Sequence, residues 1–322
     1  MRVLFVFRKQ TSIRFSLESV FHSIGESLRS QNIKIEYLYI NKLSDLLKIY
    51  RKKYDVIHVT GDINYLIPIL PRCKRILSIH DIGHYLNLKG LKKLLYRFFW
   101  FDLPIIFSNK VVFSSEATYK NALNHNFYLK QSTIIPLTSE NLFFELGLKK
   151  NFSSELKFLH IGTQKNKNLE CSMNIVSWMK KPLTVIGHPS ISDYDHAASV
   201  NVDLKVFSGI SKSELYSILE NHDVLLFPSF HEGFGLPIIE AQAAGLIVIT
   251  SNIEPMIQVA GHDSAIFINP HDSQKYSNQI MKMLNDRIEL GKLQKRGYEN
   301  SKKYDASKIA QSYLKLYEKS IK

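Results

Sequence analysis

Val224-Leu-Leu-Phe-Pro-Ser-Phe-His-Glu232-Gly-Phe-Gly-Leu-Pro-Ile-Ile-Glu240-Ala-Gln-Ala-Ala-Gly245 reads as a buried strand, a glycine loop and a helix in one run. Four apolar residues end at Pro228, as in a strand covered on both faces. Pro237 suits a first helical position, where no N–H is needed. Gly233 and Gly235 allow close approach of the backbone to a ligand and present its N–H groups. The helix start behind them favours an anion such as a phosphate. Glu240 falls about one turn into the helix, where a carboxylate can accept hydrogen bonds from a sugar diol, as in dinucleotide sites. Glu232 is an acid beside an expected anion site, unfavourable unless it serves binding or catalysis.

The same strand–helix alternation extends both ways along the chain. Apolar runs occur at residues 3–7, 33–40, 56–60, 76–80, 111–113 and 133–136, then at 156–161, 183–187, 204–207, 224–227, 246–250 and 265–268. Most are continuous; 33–40 alternates, as a strand nearer an edge does. Helical spacing fills 14–30, 42–53, 88–101, 115–127, 167–180, 212–221, 237–244 and 273–300. Strands alternating with helices predict βαβ units and parallel sheets. The expected fold class is α/β: two Rossmann-like, doubly wound domains facing a cleft. Domain one spans 1–150, domain two 151–304, with the boundary in the polar stretch 146–154.

Composition narrows the classes. The apolar content of 45% excludes disorder, and two cysteines, Cys73 and Cys171, exclude a disulfide scaffold and read as reduced thiols. Neither a signal peptide nor a membrane-spanning run is expected: the stretch 94–107 is broken by Arg97, Asp102 and Pro104. The net charge of +13 is uneven: residues 1–150 hold 23 Lys and Arg against 11 Asp and Glu, and 151–322 hold 19 against 18. The first half therefore faces an anionic partner. No metal is expected; Asp193-Tyr-Asp195 falls in a polar loop, and the histidines show no ligand spacing.

The central stretch matches the Glu-x7-Glu motif of retaining glycosyltransferases with the GT-B architecture, and its surroundings resemble family 4 (group 1). Phe207-Ser-Gly-Ile-Ser-Lys-Ser-Glu resembles the family's base-lining loop and helix, which implicates Gly209 and Ile210. Leu159-His-Ile-Gly-Thr163 with Lys167-Asn-Leu-Glu170 resembles the start of its second domain, and segments at 245–255 and 259–270 resemble its downstream strands. The resemblance implies that Glu240 holds the ribose of a nucleotide-sugar donor and that Glu232 sits at the donor sugar. It implies that the amides of Gly233, Phe234, Gly235 and Leu236 meet the sugar and diphosphate, and that Lys167 neutralises the leaving group. Many relatives have Arg where this chain has Thr163, so either Lys165 supplies the second cation or the chain manages with one. No cofactor is implied, the nucleotide-sugar being a substrate.

In the first half, Ile76-Leu-Ser-Ile-His80-Asp81 ends a strand, and the resemblance makes His80 a donor-sugar contact. Gly61 and Asp62 are expected to line the acceptor side. Arg8, Lys9 and Arg14 replace the relatives' glycine loop there and are expected to meet an acceptor phosphate. Leu88-Lys-Gly-Leu-Lys-Lys-Leu-Leu-Tyr-Arg-Phe-Phe-Trp-Phe-Asp-Leu mixes cations with an apolar face, as interfacial helices do. Lys92, Lys93, Arg97 and Trp100 are read as an anionic-membrane dock, against the alternative of an ordinary core helix. A final helix at about 305–322 is expected to return to the first domain.

The expected function is retaining transfer of a sugar from a nucleotide-diphosphate donor to a hydroxyl acceptor, a lipid-linked or other glycan of bacterial surface polysaccharide. The expected place is the cytoplasm, peripheral on the inner face of the membrane, with no nucleic-acid partner and an oligomeric state left open. The alternatives are a catalytically silent nucleotide-sugar-binding subunit and a GT-B-fold nucleotide-sugar epimerase.

Overall fold

Continuous apolar runs become parallel strands because both of their faces are covered. In the computed structural model, which describes residues 1–8, 16–129, 131–148 and 152–321, they form two six-stranded sheets. The chain divides into two compact units, Met1–Thr138 with Asp305–Lys322, and Ser139–Tyr304.

The first unit holds β1 (Arg2–Arg8), β2 (Lys34–Ile40), β3 (Val56–Val59), β4 (Lys74–Ile79), β5 (Lys110–Phe113) and β6 (Ser132–Ile134), in the order β2-β1-β3-β4-β5-β6. The alternating strand β2 is an edge. Leu4, Val6, Ile57, Val59, Leu77, Ile79 and Phe113 build the core. The helix Ala306–Ile321 lies on the helix Ser16–Arg29 in this unit, with Tyr313 and Tyr317 fully buried. The Tyr317 hydroxyl is 2.7 Å from His58 Nδ1, and His58 Nε2 is 2.8 Å from Ser78 Oγ.

The second unit holds β7 (Phe158–Ile161), β8 (Leu183–Ile186), β9 (Leu204–Phe207), β10 (Val224–Phe227), β11 (Ile247–Ser251) and β12 (Ile266–Ile268), in the order β12-β11-β10-β7-β8-β9. Consecutive strands run outward from β7 on one side and from β10 on the other. The pair β7/β10 is therefore the switch point of a doubly wound sheet, as β1/β3 is in the first unit, and such points are where open α/β sheets bind ligands.

Several expectations need correction. The division falls at Thr138/Ser139 rather than within 146–154, because the helix Asn141–Leu146 packs on the second unit. Phe143 is buried there and Phe144 meets the Tyr298 ring at 6.2 Å. The helix expected over 273–300 breaks at Asp286, whose carboxylate accepts from the amides of Ile288 and Glu289 and starts a new helix. The stretch around Asp193 is a helix, Ile191–Ser199, rather than a loop: Ser190 and Asp193 form a capping box. Ser190-x-x-Asp193 was the sequence signal for it.

Candidate functional site

The second unit's site grows from the loops after β7 and β10. Gly162 takes φ +93°, a turn that L side chains resist, and a Cβ there would lie 3.0 Å from Lys167 Cγ. The carbonyl of Gly162 is held by His160 Nε2 at 2.7 Å, so that nitrogen carries the proton and Nδ1 accepts from Ser172 Oγ at 2.8 Å. Burial pulls His160 down to about 4, which keeps it neutral. This positioning histidine was missed in the sequence, where it reads as one more strand residue.

Two asparagines then tie the loops together. Asn166 donates from Nδ2 to His231 O (3.0 Å) and accepts from Phe230 N (2.7 Å). Asn168, in the left-handed region at φ 56°, donates to Pro228 O (3.1 Å) and Pro270 O (3.0 Å). Between them Lys167 Nζ stands 2.7 Å from Glu232 Oε1 and 4.5 Å from the centre of the Phe227 ring. The two side chains are 17% and 11% exposed, so this ion pair is only thinly screened.

Thr163 and Lys165 behave differently from Lys167. Thr163 Oγ1 donates to His188 O and accepts from His188 N, each at 3.0 Å, which fastens the loop after β7 to the one after β8. Lys165 is exposed and forms no ion pair among the described residues.

Gly235, at φ +103°, is the N-cap of the helix Leu236–Ala243, so Pro237 is its second residue rather than its first. Phe234 turns its ring inward onto Tyr304 (5.7 Å, edge-on), which leaves its backbone, with those of Gly233 and Leu236, as the groups a ligand could meet. Glu240 is half-buried and makes no side-chain hydrogen bond or ion pair among the described residues. Burial first, and then the Glu140 carboxylate, push its carboxyl up to about 7, while Lys212 pulls the other way. Lys212 Nζ lies 3.0 Å from Glu140 Oε1 and follows the loop of Gly209, at φ +62°, and half-buried Ile210. Glu140, a hundred residues away in the chain, gave no signal in the sequence.

In the first unit, the end of β1 meets the loop after β3. Arg8 donates from Nε to Glu18 Oε1 at 3.1 Å and from Nη1 to Asp62. Two acids therefore share Arg8, as Glu232 shares Lys167. Lys9 and Arg14 lie outside the described residues. Gly61, at φ +124°, lets His80 pack directly against the backbone; a Cβ would be 2.9 Å from His80 Cδ2. His80 Nε2 donates to Thr60 O at 2.7 Å, and its Nδ1 is buried with no hydrogen-bond partner among the described residues. Burial lowers its affinity for a proton, so Nδ1 is a neutral acceptor.

The expected dock also needs correction. Arg97 is held by Asp102 (3.1 Å), His125 O (3.0 Å) and Asn126 O (2.7 Å), and lies over the Phe127 ring. Trp100 sits between the rings of Tyr65 and Tyr96. Lys93 covers the Tyr85 ring at 4.7 Å, and Lys92 is exposed. Beside Lys92, the stretch exposes an apolar stripe that was not expected: Leu91, Leu94, Leu95, Phe98 and Phe99. No helix among the described residues is long and apolar enough to cross a membrane. A cavity of 640 Å³ between β8, β9 and the helix Lys212–Glu220 is bordered by Phe207 and Glu214 of the stretch quoted for base lining but by none of the candidate site residues.

Residues 182–304 match the family model described as glycosyl transferases group 1. Over 281 residues the chain is 23% identical to the N,N'-diacetylbacillosaminyl-diphospho-undecaprenol alpha-1,3-N-acetylgalactosaminyltransferase of Campylobacter jejuni, covering 77% of this chain and 71% of that one. It is 24% identical to the O-antigen biosynthesis glycosyltransferase WclY of Escherichia coli, over 76% of this chain and 74% of that one. The crystal structure of Anabaena Alr3699/HepE in complex with UDP-glucose superposes with a TM-score of 0.73 at 16% identity, covering 99% of this chain and 100% of that one. Together with the two doubly wound units, these matches support a glycosyltransferase of the GT-B type.

Proposed function

We propose that the chain is a retaining, metal-independent glycosyltransferase of family 4 type that moves a sugar from a nucleotide-diphosphate donor to a lipid-linked glycan at the inner face of a bacterial membrane. The observation that carries this reading is the pair of glutamates eight residues apart. One faces a lysine at the β7/β10 switch point; the other is a half-buried carboxyl with no partner among the described residues.

In this reading Glu240 accepts hydrogen bonds from the ribose hydroxyls, and the loop at Gly209 and Ile210 lines the base. The amides from Gly233 to Leu236 and the cation of Lys167 meet the diphosphate, with Lys165 able to add a second charge. The bond between the sugar's anomeric carbon and the diphosphate oxygen breaks, and the acceptor oxygen bonds to that carbon on the same face. The acceptor's proton passes to the departing phosphate oxygen, whose growing charge Lys167 stabilises. Glu232 sits at the sugar and holds Lys167 in place. Within the first unit, His80 Nδ1, which has no hydrogen-bond partner among the described residues, is an acceptor for a sugar hydroxyl, and Gly61 and Asp62 border the acceptor. The names of similar proteins support this reading: UDP-glucose is bound in the Alr3699/HepE structure, and a diphospho-undecaprenol is named for the Campylobacter enzyme. The apolar stripe Leu91–Phe99 is the membrane contact.

The test is incubation of the purified protein with UDP-, GDP-, ADP- and dTDP-sugars and diphospho-polyprenol acceptors, followed by NMR of the product anomer. Transfer with the donor's configuration kept is expected. An inverted product removes the retaining mechanism; tight donor binding without turnover makes the chain a donor-binding subunit.

A further inference from the structure

Four rings of the first unit stand in one row. Tyr65 lies 5.1 Å from Trp100, Trp100 is stacked 5.2 Å from Tyr96 at 15°, and Tyr96 meets His84 at 5.0 Å. Both ends are exposed, Tyr65 by 41%. Each end also has a carboxylate three residues upstream: Asp62 before Tyr65 and Asp81 before His84. Asp62 follows β3 and Asp81 follows β4, so both leave the carboxyl ends of adjacent parallel strands, the functional edge of such a sheet. Tyr96, midway along the row, senses both acids: burial first, then Asp62 and Asp81, push its phenol up to about 12.

Such a row is more than core packing. A pyranose presents C–H groups on its flat faces and hydroxyls around its rim. The C–H groups are drawn to the electron-rich face of an aromatic ring, and the hydroxyls make charge-assisted hydrogen bonds to carboxylates. Asp62 bonds Arg8, and Asp81 accepts from Gly83 N at 2.7 Å, but a carboxylate offers about four acceptor positions. Arg8 is shared between Glu18 and Asp62, so a phosphate at this edge would compete with two carboxylates for it.

We infer that the row from Tyr65 to His84, flanked by Asp62 and Asp81, is a saccharide subsite that stacks a pyranose of the acceptor on the exposed Tyr65 end. The inference rests on the proposed acceptor role of the first unit. It makes the recognised part of the acceptor its sugar, with the lipid left to the apolar stripe on the same helix.

The chain has two tryptophans, Trp100 and Trp178, so Trp178→Phe leaves Trp100 as the sole indole reporter. Its emission is titrated with the methyl α-glycosides of mannose, glucose, galactose, N-acetylglucosamine and N-acetylgalactosamine. At least one is expected to give a saturable shift, weakened about tenfold or more by Tyr65→Ala or Asp81→Asn and kept by Tyr65→Phe. Circular dichroism confirms folding of each variant. No saturable response to any glycoside overturns the subsite, as does a response that survives Tyr65→Ala. Melting of the same preparation with UDP and GDP reports the donor reading separately: nucleotide protection without a glycoside response loses the subsite alone.

Discussion

Lys167 Nζ and Glu232 Oε1 stand 2.7 Å apart, and the lysine also lies over the Phe227 ring. The cation assigned to the diphosphate therefore has an anionic partner within the protein. A bound diphosphate must compete with Glu232 or share Lys167 with it.

Glu232→Gln removes that competitor. The expected outcome is nucleoside-diphosphate binding strengthened up to about tenfold, with turnover lost and the ligand-free fold weakened by about 1–3 kcal/mol for the stranded, partly exposed ammonium. Calorimetric titration with UDP and GDP beside a melting curve reads both. Weaker binding in Glu232→Gln would show that the carboxylate itself contacts the nucleotide.

Glu240 should make donor binding pH-dependent. Its carboxyl, held up to about 7 by burial and then by Glu140, is protonated on the acid side and cannot then accept from both ribose hydroxyls. Affinity is expected to rise as pH increases through about 7. Glu140→Gln removes a repelling charge and frees the Lys212 cation, so the rise should move to lower pH. The linkage to stability has the opposite sign: a carboxyl raised in the fold holds its proton more tightly than in the unfolded chain, so stability falls as pH climbs from about 4.3 to about 7. Glu240→Gln should therefore melt higher than the parent at pH 8 without ligand and lose the protection that nucleotide gives by mass action. Full protection in Glu240→Gln would move the ribose elsewhere.

Much of this was legible in advance, and the missing part has a physical pattern. A buried parallel strand is a continuous apolar run, so β10 and its fellows could be read one by one, and Gly233, Gly235 and Glu240 followed from their place at a strand's end. Pairings across the chain could not. Lys167 meets Glu232 only because Asn166 and Asn168 bind carbonyls of another loop. Glu140 reaches Lys212 from the N-cap of a helix in a segment that the sequence placed in the other domain. Arg97 looked like a surface cation until Asp102 and the carbonyls of His125 and Asn126 were seen to hold it. Periodicity reports which face is apolar, not which charges are already spoken for.

Acid should weaken both units through histidines kept neutral by burial. His58, fully buried, is pulled down to about 3 and His160 to about 4. Their unfolded counterparts take up protons below about 6.5, so the unfolded state gains protons that the fold refuses. Stability is expected to fall as pH drops below 6.5, by about 1.4 kcal/mol per unit for each histidine, easing near 4 for His160 and near 3 for His58. Urea titrations from pH 7 to 4 measure it. His160→Gln should flatten the slope by one proton; an unchanged slope would remove His160 as a contributor.

Membrane binding should follow the apolar stripe rather than the cations. Leu94 and Phe98 are exposed one turn apart, and an interfacial helix gains most from apolar area. Leu94→Ser with Phe98→Ser is expected to reduce flotation with phosphatidylglycerol vesicles several-fold while leaving the melting temperature unchanged or higher. Arg97→Ser should do the reverse, because it strands Asp102 and two backbone carbonyls at a cost of about 1–3 kcal/mol while removing little that faces lipid. Vesicle binding lost on Arg97→Ser, with the fold intact, would restore the guanidinium to the interface and take the stripe out of it.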